Sequence, residues 1–181
     1  MTPRQIQLVR PNNPAILHGG ILHWLAWHGK QILSYDLGTG KLGSVELPHT
    51  NCDIHQLHLA TSSDGNQLKL VGIEGFTLSV WLLLPIPEAG DGCWAMKTVI
   101  NMEEKLRLLN PNIPPNGPYI TVFHCFEKRD CDIVLLRVRK QDYFDTVIMD
   151  LENKDMHRQE CGSFLLEIDL PSRLENMKIF S

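Results

Sequence analysis

Residues 76–82, Phe-Thr-Leu-Ser-Val-Trp-Leu, alternate between two kinds of side chain. In a β-strand successive side chains point to opposite faces, so the even-numbered apolar residues of this stretch share one face and Trp81 lies on the other. A helix would spread the same apolar residues around its circumference. The stretch is therefore predicted to be a β-strand.

The same pattern occurs at two other places in the chain, in residues 31–37 and 145–151. An opening strand and a second apolar strand precede each stretch, and a turn and a further strand follow it. The predicted opening strands are residues 15–18, 57–60 and 120–126; the second strands are 21–26, 68–73 and 133–138; the last strands are 42–47, 94–99 and 156–160. The chain thus repeats a four-stranded unit three times, and the 45 residues from Asp36 to Trp81 are a spacing typical of a propeller blade.

The connections between these strands are typical of antiparallel hairpins. The Asp-Gly pair at 64–65 supplies left-handed turn residues. Residues 38–40 and 152–154 occupy equivalent places in the first and third units. Asp36 and Asp150 stand at equivalent strand ends, where they are interpreted as turn caps rather than as a paired acid and base.

The third unit carries an insertion, because 69 residues separate Trp81 from Asp150. This insertion is predicted to contain a helix at residues 101–109, which Asn101 caps with Glu104 as the return acceptor. Three apolar residues share one face of this helix at positions i, i+4 and i+7: Met102, Leu106 and Leu109. Pro111 ends the helix, and the proline-rich residues 110–118 are predicted to form a rigid loop.

We predict an all-β fold of about three four-stranded antiparallel blades, which form a partial, kelch-like β-propeller with one short helix inserted near 101–109. The predicted boundaries are an N-terminal extension at 1–13 and a partial propeller at 14–181, with blades at about 14–48, 54–100 and 118–160 and a C-terminal tail at 161–181. Because a blade has a neighbour on each face, Trp81 is predicted to be buried.

Composition is that of a soluble globular protein, with 43% hydrophobic and 21% charged residues. The net charge of −4 argues against a nucleic-acid partner. The nearest approach to a basic cluster is predicted to be the solvated face of a strand: Arg137, Arg139 and Lys140. The most apolar run, residues 78–86, is too short to span a bilayer, so no membrane partner is expected.

Residues 1–14 contain two arginines and three prolines without an apolar core, which is unlike a secretory signal. Five widely spaced cysteines without a C-x-x-C pair are predicted to be buried, reduced thiols: Cys52, Cys93, Cys125, Cys131 and Cys161. A cytosolic or nuclear location follows from these two predictions.

Motifs that resemble catalytic or cofactor sites either lack the secondary structure that such sites require or are absent from the sequence. Residues 38–43 match G-x-G-x-x-G, but a strand-like segment ending in Pro48 follows instead of the helix that a dinucleotide site requires. No G-x-S-x-G nucleophile elbow and no protease-like cysteine motif occur. Four tryptophans invite a ligand-groove hypothesis but are interpreted as core: Trp24, Trp27, Trp81 and Trp94. No enzymatic activity, catalytic residue or cofactor is predicted.

Eight histidines invite a metal hypothesis, above all His18, His23, His28, His55 and His58. Zinc needs ligands that converge on one point. If His55 and His58 lie on one strand, their three-residue separation points them to opposite faces. A metal site is therefore not predicted.

Residues 17–25 (LHGGILHWL), 32–41 (ILSYDLGTGK) and 45–48 (VELP) resemble a blade of the plant F-box-associated β-propeller proteins. The segments 57–60, 80–82 and 149–151 and the tail from 164 to 180 are also similar to members of this family. The resemblance covers about residues 14–180 and implies a propeller fold without catalytic residues.

In that family an F-box docks on a Skp-type adaptor of an SCF ubiquitin ligase, and the propeller presents the substrate. The resemblance therefore implies a non-enzymatic protein-interaction module with an unidentified protein substrate. Residues 1–14 are too short to hold an F-box, so the adaptor is expected to bind only if an F-box is supplied upstream. The alternatives are a truncated family remnant without independent activity and an enzyme with its site in a propeller mouth.

The two terminal blades of the predicted array are expected to expose apolar faces. Closed propellers have about 4–8 blades, and three blades leave two apolar faces without a neighbour. The chain is expected to self-associate through these open blades, to bind a chaperone or to be marginally stable, unless the tail at 164–180 folds back as a cap.

Overall fold

The computed structural model describes residues 8–9, 15–17, 19–26, 31–62, 64–84, 93–113, 119–128, 131–139 and 144–159. Several of the predictions above lie outside these ranges: those for His18, Trp27, His28, Lys140, Cys161 and the tail at 161–181. The described residues are mostly β, with one α-helix, and their strands form three antiparallel sheets.

The first sheet contains five strands: β1 (Leu8–Val9), β2 (Ala15–Leu17), β3 (Ile21–Ala26), β4 (Gln31–Asp36) and β5 (Leu42–Glu46). Its strand order is β1-β3-β4-β5, and β2 also pairs with β3. The four strands of the predicted first unit are present, and the short strand β1, from the predicted N-terminal extension, joins them.

The second and third sheets are four-stranded meanders in which consecutive strands pair. The second contains β6 (Leu57–Thr61), β7 (Leu68–Glu74), β8 (Thr77–Leu84) and β9 (Cys93–Asn101). The third contains β10 (Ile120–Lys128), β11 (Cys131–Arg139), β12 (Phe144–Asp150) and β13 (Met156–Arg158). None of the three sheets closes on itself among the described strands.

The predicted turns connect these strands. Gly40, Gly65 and Lys154 have φ angles of 68°, 66° and 58°, which is the left-handed conformation that a tight hairpin requires. The G-x-G-x-x-G stretch is accordingly the hairpin between β4 and β5, as predicted from the strand-like residues that follow it.

Two hydrophobic cores lie between successive sheets. One joins the first and second sheets through residues such as Ile32, Leu70 and Trp81. The other joins the second and third sheets through residues such as Val80 and Leu136. The central strands of the second sheet, β7 and β8, are therefore covered on both faces, and Trp81, with 5% of its surface exposed, is buried as predicted.

The helix α1 spans Glu103–Leu109 between the second and third sheets in the chain. Its apolar face, with Met102 and Leu106, enters the core between these sheets. The predicted capping box is wrong, because the N-cap is Met102, which has no side-chain acceptor. Asn101 is instead the last residue of β9, and its Oδ1 atom accepts a hydrogen bond from the Glu103 N–H at 2.9 Å.

Candidate functional site

Asp36 and Asp150 cap turns, as predicted. The Asp36 Oδ1 atom accepts hydrogen bonds from the N–H groups of the second and third residues after it, at 2.8 and 3.1 Å, and Asp150 repeats this arrangement with the same two distances. The Thr39 hydroxyl and N–H hold the pKa of Asp36 below its usual value, and the Asn153 N–H does the same to the pKa of Asp150. The two carboxylates belong to hairpins of the first and third sheets and serve their own turns.

The histidines lie in several environments. His55 is in a 3₁₀ turn (Ile54–Gln56), so the premise that it shares a strand with His58 is wrong. His58 is buried on β6, and its ring meets that of His124 edge-on, with 6.1 Å between the ring centroids. Across the described ranges, no group of three or more His, Cys, Asp or Glu residues is arranged to hold a metal ion.

His23 is the most perturbed titratable group of the first sheet. It lies on β3 opposite Ala15 and Ser34 and is buried, and its Nδ1 atom has no hydrogen-bond partner. Burial lowers the pKa of His23 to about 4, so the ring is neutral at physiological pH. Its position in an apolar strand was a signal of burial, but the sequence did not show what would surround it.

A charged cluster between the second and third sheets was not predicted. Lys69 Nζ lies 2.5 Å from Asp132 Oδ1, and Lys97 Nζ lies 3.6 Å from Asp132 Oδ2. Lys69 is fully buried and Asp132 nearly so, whereas Lys97 is half-exposed. The signal in the sequence was a lysine inside the apolar run of residues 68–73. The cluster ties two sheets together, and its closest ion pair, between Lys69 and Asp132, is buried.

Several of the cysteines and tryptophans that were predicted to be buried are half-buried or exposed. The prediction of buried cysteines is wrong for Cys93, which is exposed because it begins the outermost strand of the second sheet. Cys52 is half-buried, and burial raises the pKa of its thiol. Trp94 is also half-buried, and its Nε1–H donates to the Glu46 carbonyl at 2.7 Å, which joins the outermost strands of the first two sheets.

The outward face of the first sheet carries several large apolar side chains, and we call it the leucine face. The strand register aligns Leu22, Tyr35 and Leu42 in one row across β3, β4 and β5, and Trp24 and Leu33 in the next row. Leu42 is 81% exposed. Successive residues alternate between faces, so these side chains point away from the core that contains Ile32.

The outward face of the third sheet carries aromatic and basic side chains, and we call it the aromatic–arginine face: Tyr119, Phe123, Arg137, Arg139 and Phe144. Arg139 pairs with Phe144 across β11 and β12, and Arg137 pairs with Thr121 on β10 and Thr146 on β12. All five side chains that define this face are exposed. The prediction that Arg137 and Arg139 lie on a solvated strand face is confirmed.

Comparison of the chain with protein-family models, curated proteins and solved structures finds no match. The likeness to the F-box-associated propellers therefore depends on the sequence segments quoted above. Within the described ranges, no helix has the length and apolar character needed to cross a bilayer. The two outward faces are the surfaces best suited to a functional contact.

Proposed function

We propose that this chain is a non-enzymatic protein-interaction module built from three propeller-type blades. The second and third sheets are antiparallel meanders, strands β2 to β5 of the first sheet pair in the same consecutive order, and the sheets pack face to face in chain order. The strands β2, β6 and β10 open the three predicted units, and β6 lies beside both β2 and β10. This arrangement supports the propeller hypothesis, because the innermost strands of adjacent blades are neighbours around a propeller axis.

The observation that carries the proposal is the exposure of large apolar side chains on the leucine face. The central strands of the second sheet are covered on both sides, whereas Leu42 of the first sheet is 81% exposed and Leu37, in the hairpin between β4 and β5, is 56% exposed. Clustered exposed apolar side chains mark a contact surface more often than a solvated one. We infer that this face binds a protein, either a partner or a second copy of the chain.

The resemblance to the plant F-box-associated propellers suggests the biological setting. In this proposal the module recognises a substrate protein for a ubiquitin ligase in the cytosol or nucleus. An F-box supplied upstream would be needed to recruit the Skp-type adaptor. The exposed apolar side chains of the leucine face support protein binding as the basis of this recognition.

Site-specific photo-crosslinking tests the proposal. A benzophenone amino acid at position 42 of the full chain is expected to capture a defined protein from an extract of the source organism. The same amino acid at position 152, which is exposed in a hairpin of the third sheet, is the control. The purified partner is then expected to bind the wild-type chain saturably and to bind Leu42→Asp at least about ten-fold more weakly.

Equal capture from positions 42 and 152, or capture of chaperones alone, would contradict the proposal.

A role in a ubiquitin ligase is tested separately, by the cellular half-life of the partner. If the partner is a degradation substrate, its cellular half-life should lengthen when Leu42→Asp replaces the wild-type protein, and an unchanged half-life would argue for a scaffold instead.

A further inference from the structure

The aromatic–arginine face combines the side chains that contribute most to protein-binding energy. Tyr119, Phe123 and Phe144 are 47%, 38% and 53% exposed. Aromatic residues and arginine are enriched at protein interfaces. Aromatic side chains bury large surfaces with few rotatable bonds, and the planar arginine guanidinium presents several hydrogen-bond donors in a fixed geometry. Their concentration at one end of one sheet distinguishes this face from an ordinary solvated strand surface.

The two arginines of this face differ from the other arginines that the structure describes. Arg107 and Arg158 each form an ion pair, with Glu103 at 2.9 Å and with Asp145 at 3.1 Å. Across the described ranges, neither Arg137 nor Arg139 has a carboxylate within ion-pair distance. Two unpaired cations on a chain of net charge −4 indicate a surface with local positive character.

Arg137 is also positioned for binding. Its guanidinium carbon lies 3.8 Å from the centroid of the Phe123 ring. Stacking of the planar guanidinium on an aromatic face restricts the side chain and leaves its N–H groups directed outward along the edge of the plane. These groups match the two oxygens of a carboxylate in a bidentate pair.

We propose that the aromatic–arginine face binds an acidic segment of a partner protein, an inference that rests on the proposed interaction function. Arg137 and Arg139 are two residues apart on β11 and share a face, so their Cα atoms are roughly 7 Å apart. An extended segment with the pattern acid-x-acid has the same spacing. Its carboxylates pair with the arginines while an apolar residue beside them packs on Phe144 or Tyr119.

Selection from a displayed library of random peptides on the immobilised 181-residue chain tests this inference. Peptides containing acid-x-acid beside an aromatic or aliphatic residue are expected to be enriched. Fluorescence polarisation with a selected, labelled peptide should give saturable binding that weakens as sodium chloride is raised. The Arg137→Gln/Arg139→Gln variant is expected to bind it at least about ten-fold more weakly.

The matched control is Lys41→Gln/Lys154→Gln, which removes the same charge from two exposed hairpin lysines. It should retain wild-type affinity within about two-fold. Neutral or basic selected peptides, or acidic peptides that bind the arginine variant unchanged, would overturn the inference. If these neutral, basic or arginine-independent peptides lose affinity for the Leu42→Asp variant, the proposed interaction function is kept and the acidic-segment inference is rejected. A library that yields no saturable binder contradicts both the function and the inference.

Discussion

At the scale of single residues, Gly72 allows Trp81 to be buried. A Cβ atom at position 72 would lie 2.9 Å from Leu57 Cδ2 and 3.0 Å from both Cys52 Sγ and Trp81 Cζ3. Contacts this short displace well-packed neighbours. The indole ring thus occupies space that any other residue at position 72 would take from it.

Substitution of Trp81 measures how much this packing contributes to the free energy of unfolding. Trp81→Ala is expected to lower the free energy of unfolding by about 3–5 kcal/mol, because it empties a large buried volume between the first two sheets. Denaturant unfolding followed by circular dichroism measures the change. Leu42→Ala, at an exposed position, is the control, and a loss below about 1 kcal/mol for Trp81→Ala would contradict the packing of these sheets.

The pH dependence of stability should contain a contribution from His23. Burial lowers its folded pKa to about 4 from 6.5, so between these values the unfolded chain binds a proton more readily than the folded chain. Above pH 6.5 the ring is neutral in both the folded and the unfolded chain, and His23 then does not lower the free energy of unfolding. As the pH decreases from 6.5 through 4, the free energy of unfolding falls by up to about 3 kcal/mol.

Comparison of unfolding at pH 7 and pH 5 tests this prediction. His23→Leu should flatten the dependence on pH because it removes the buried titratable ring, and the same substitution at the exposed His49 is the control. An identical acid sensitivity in wild type and His23→Leu would mean that other groups are responsible.

At the scale of elements, α1 connects the second and third sheets through three kinds of contact. The Met102 N–H donates to the Phe76 carbonyl at 2.8 Å, and the Arg107 guanidinium lies 5.0 Å from the centroid of the Phe76 ring. On its other side, Lys105 donates to the Lys154 carbonyl and pairs with Asp155 at 3.3 Å. The insertion in the third unit is therefore an integral part of the packing between two sheets.

The helix offers a matched pair of leucines for testing this role. Leu106 is 1% exposed and Leu108 is 76% exposed. Leu106→Ala is expected to cost about 2–5 kcal/mol of unfolding free energy, whereas Leu108→Ala should change it by no more than about 0.5 kcal/mol. Equal effects in thermal and chemical unfolding would mean that α1 does not dock as described.

At the scale of the whole molecule, the contact between Lys69 and Asp132 joins the second and third sheets across 63 residues of sequence. Lys69→Met should destabilise the chain by about 3–5 kcal/mol, because the Asp132 carboxylate stays buried and, among the described residues, keeps Lys97 at 3.6 Å as its one cationic neighbour. Lys69→Met/Asp132→Leu should recover part of this loss, since no uncompensated charge remains. A double-mutant cycle measures the coupling, and strictly additive losses would show that the two side chains act independently.

The exposed leucine face leads to a prediction about association. At tens of micromolar the wild-type chain is expected to self-associate through this face, and Leu42→Asp should shift it towards the monomer. Light scattering coupled to size exclusion gives the mass of each species. A wild-type chain that elutes as a single, cooperatively melting monomer would refute the expectation.

The sequence by itself determined the strands other than β1, their hairpins and the single helix of the described residues. Alternation of apolar and polar side chains has a period of two only in strands, and the turn residues at 38–40, 64–65 and 152–154 mark where each strand must reverse. These signals are local, so they can be recognised in a short segment without knowledge of the rest of the chain. The predicted N-cap was wrong by one residue because strand β9 continues to Asn101 and leaves Met102 as the cap.

Only the tertiary structure decided which faces are covered. Lys69 and Arg137 are both cations in apolar strands, yet one is buried against Asp132 and the other is exposed over Phe123. Leu70 and Leu42 differ in the same way. The burial of a strand residue depends on the sheet that packs against it, and that sheet comes from a distant part of the sequence. Local periodicity therefore separates the two faces of a strand, and long-range packing determines which of them remains available to bind.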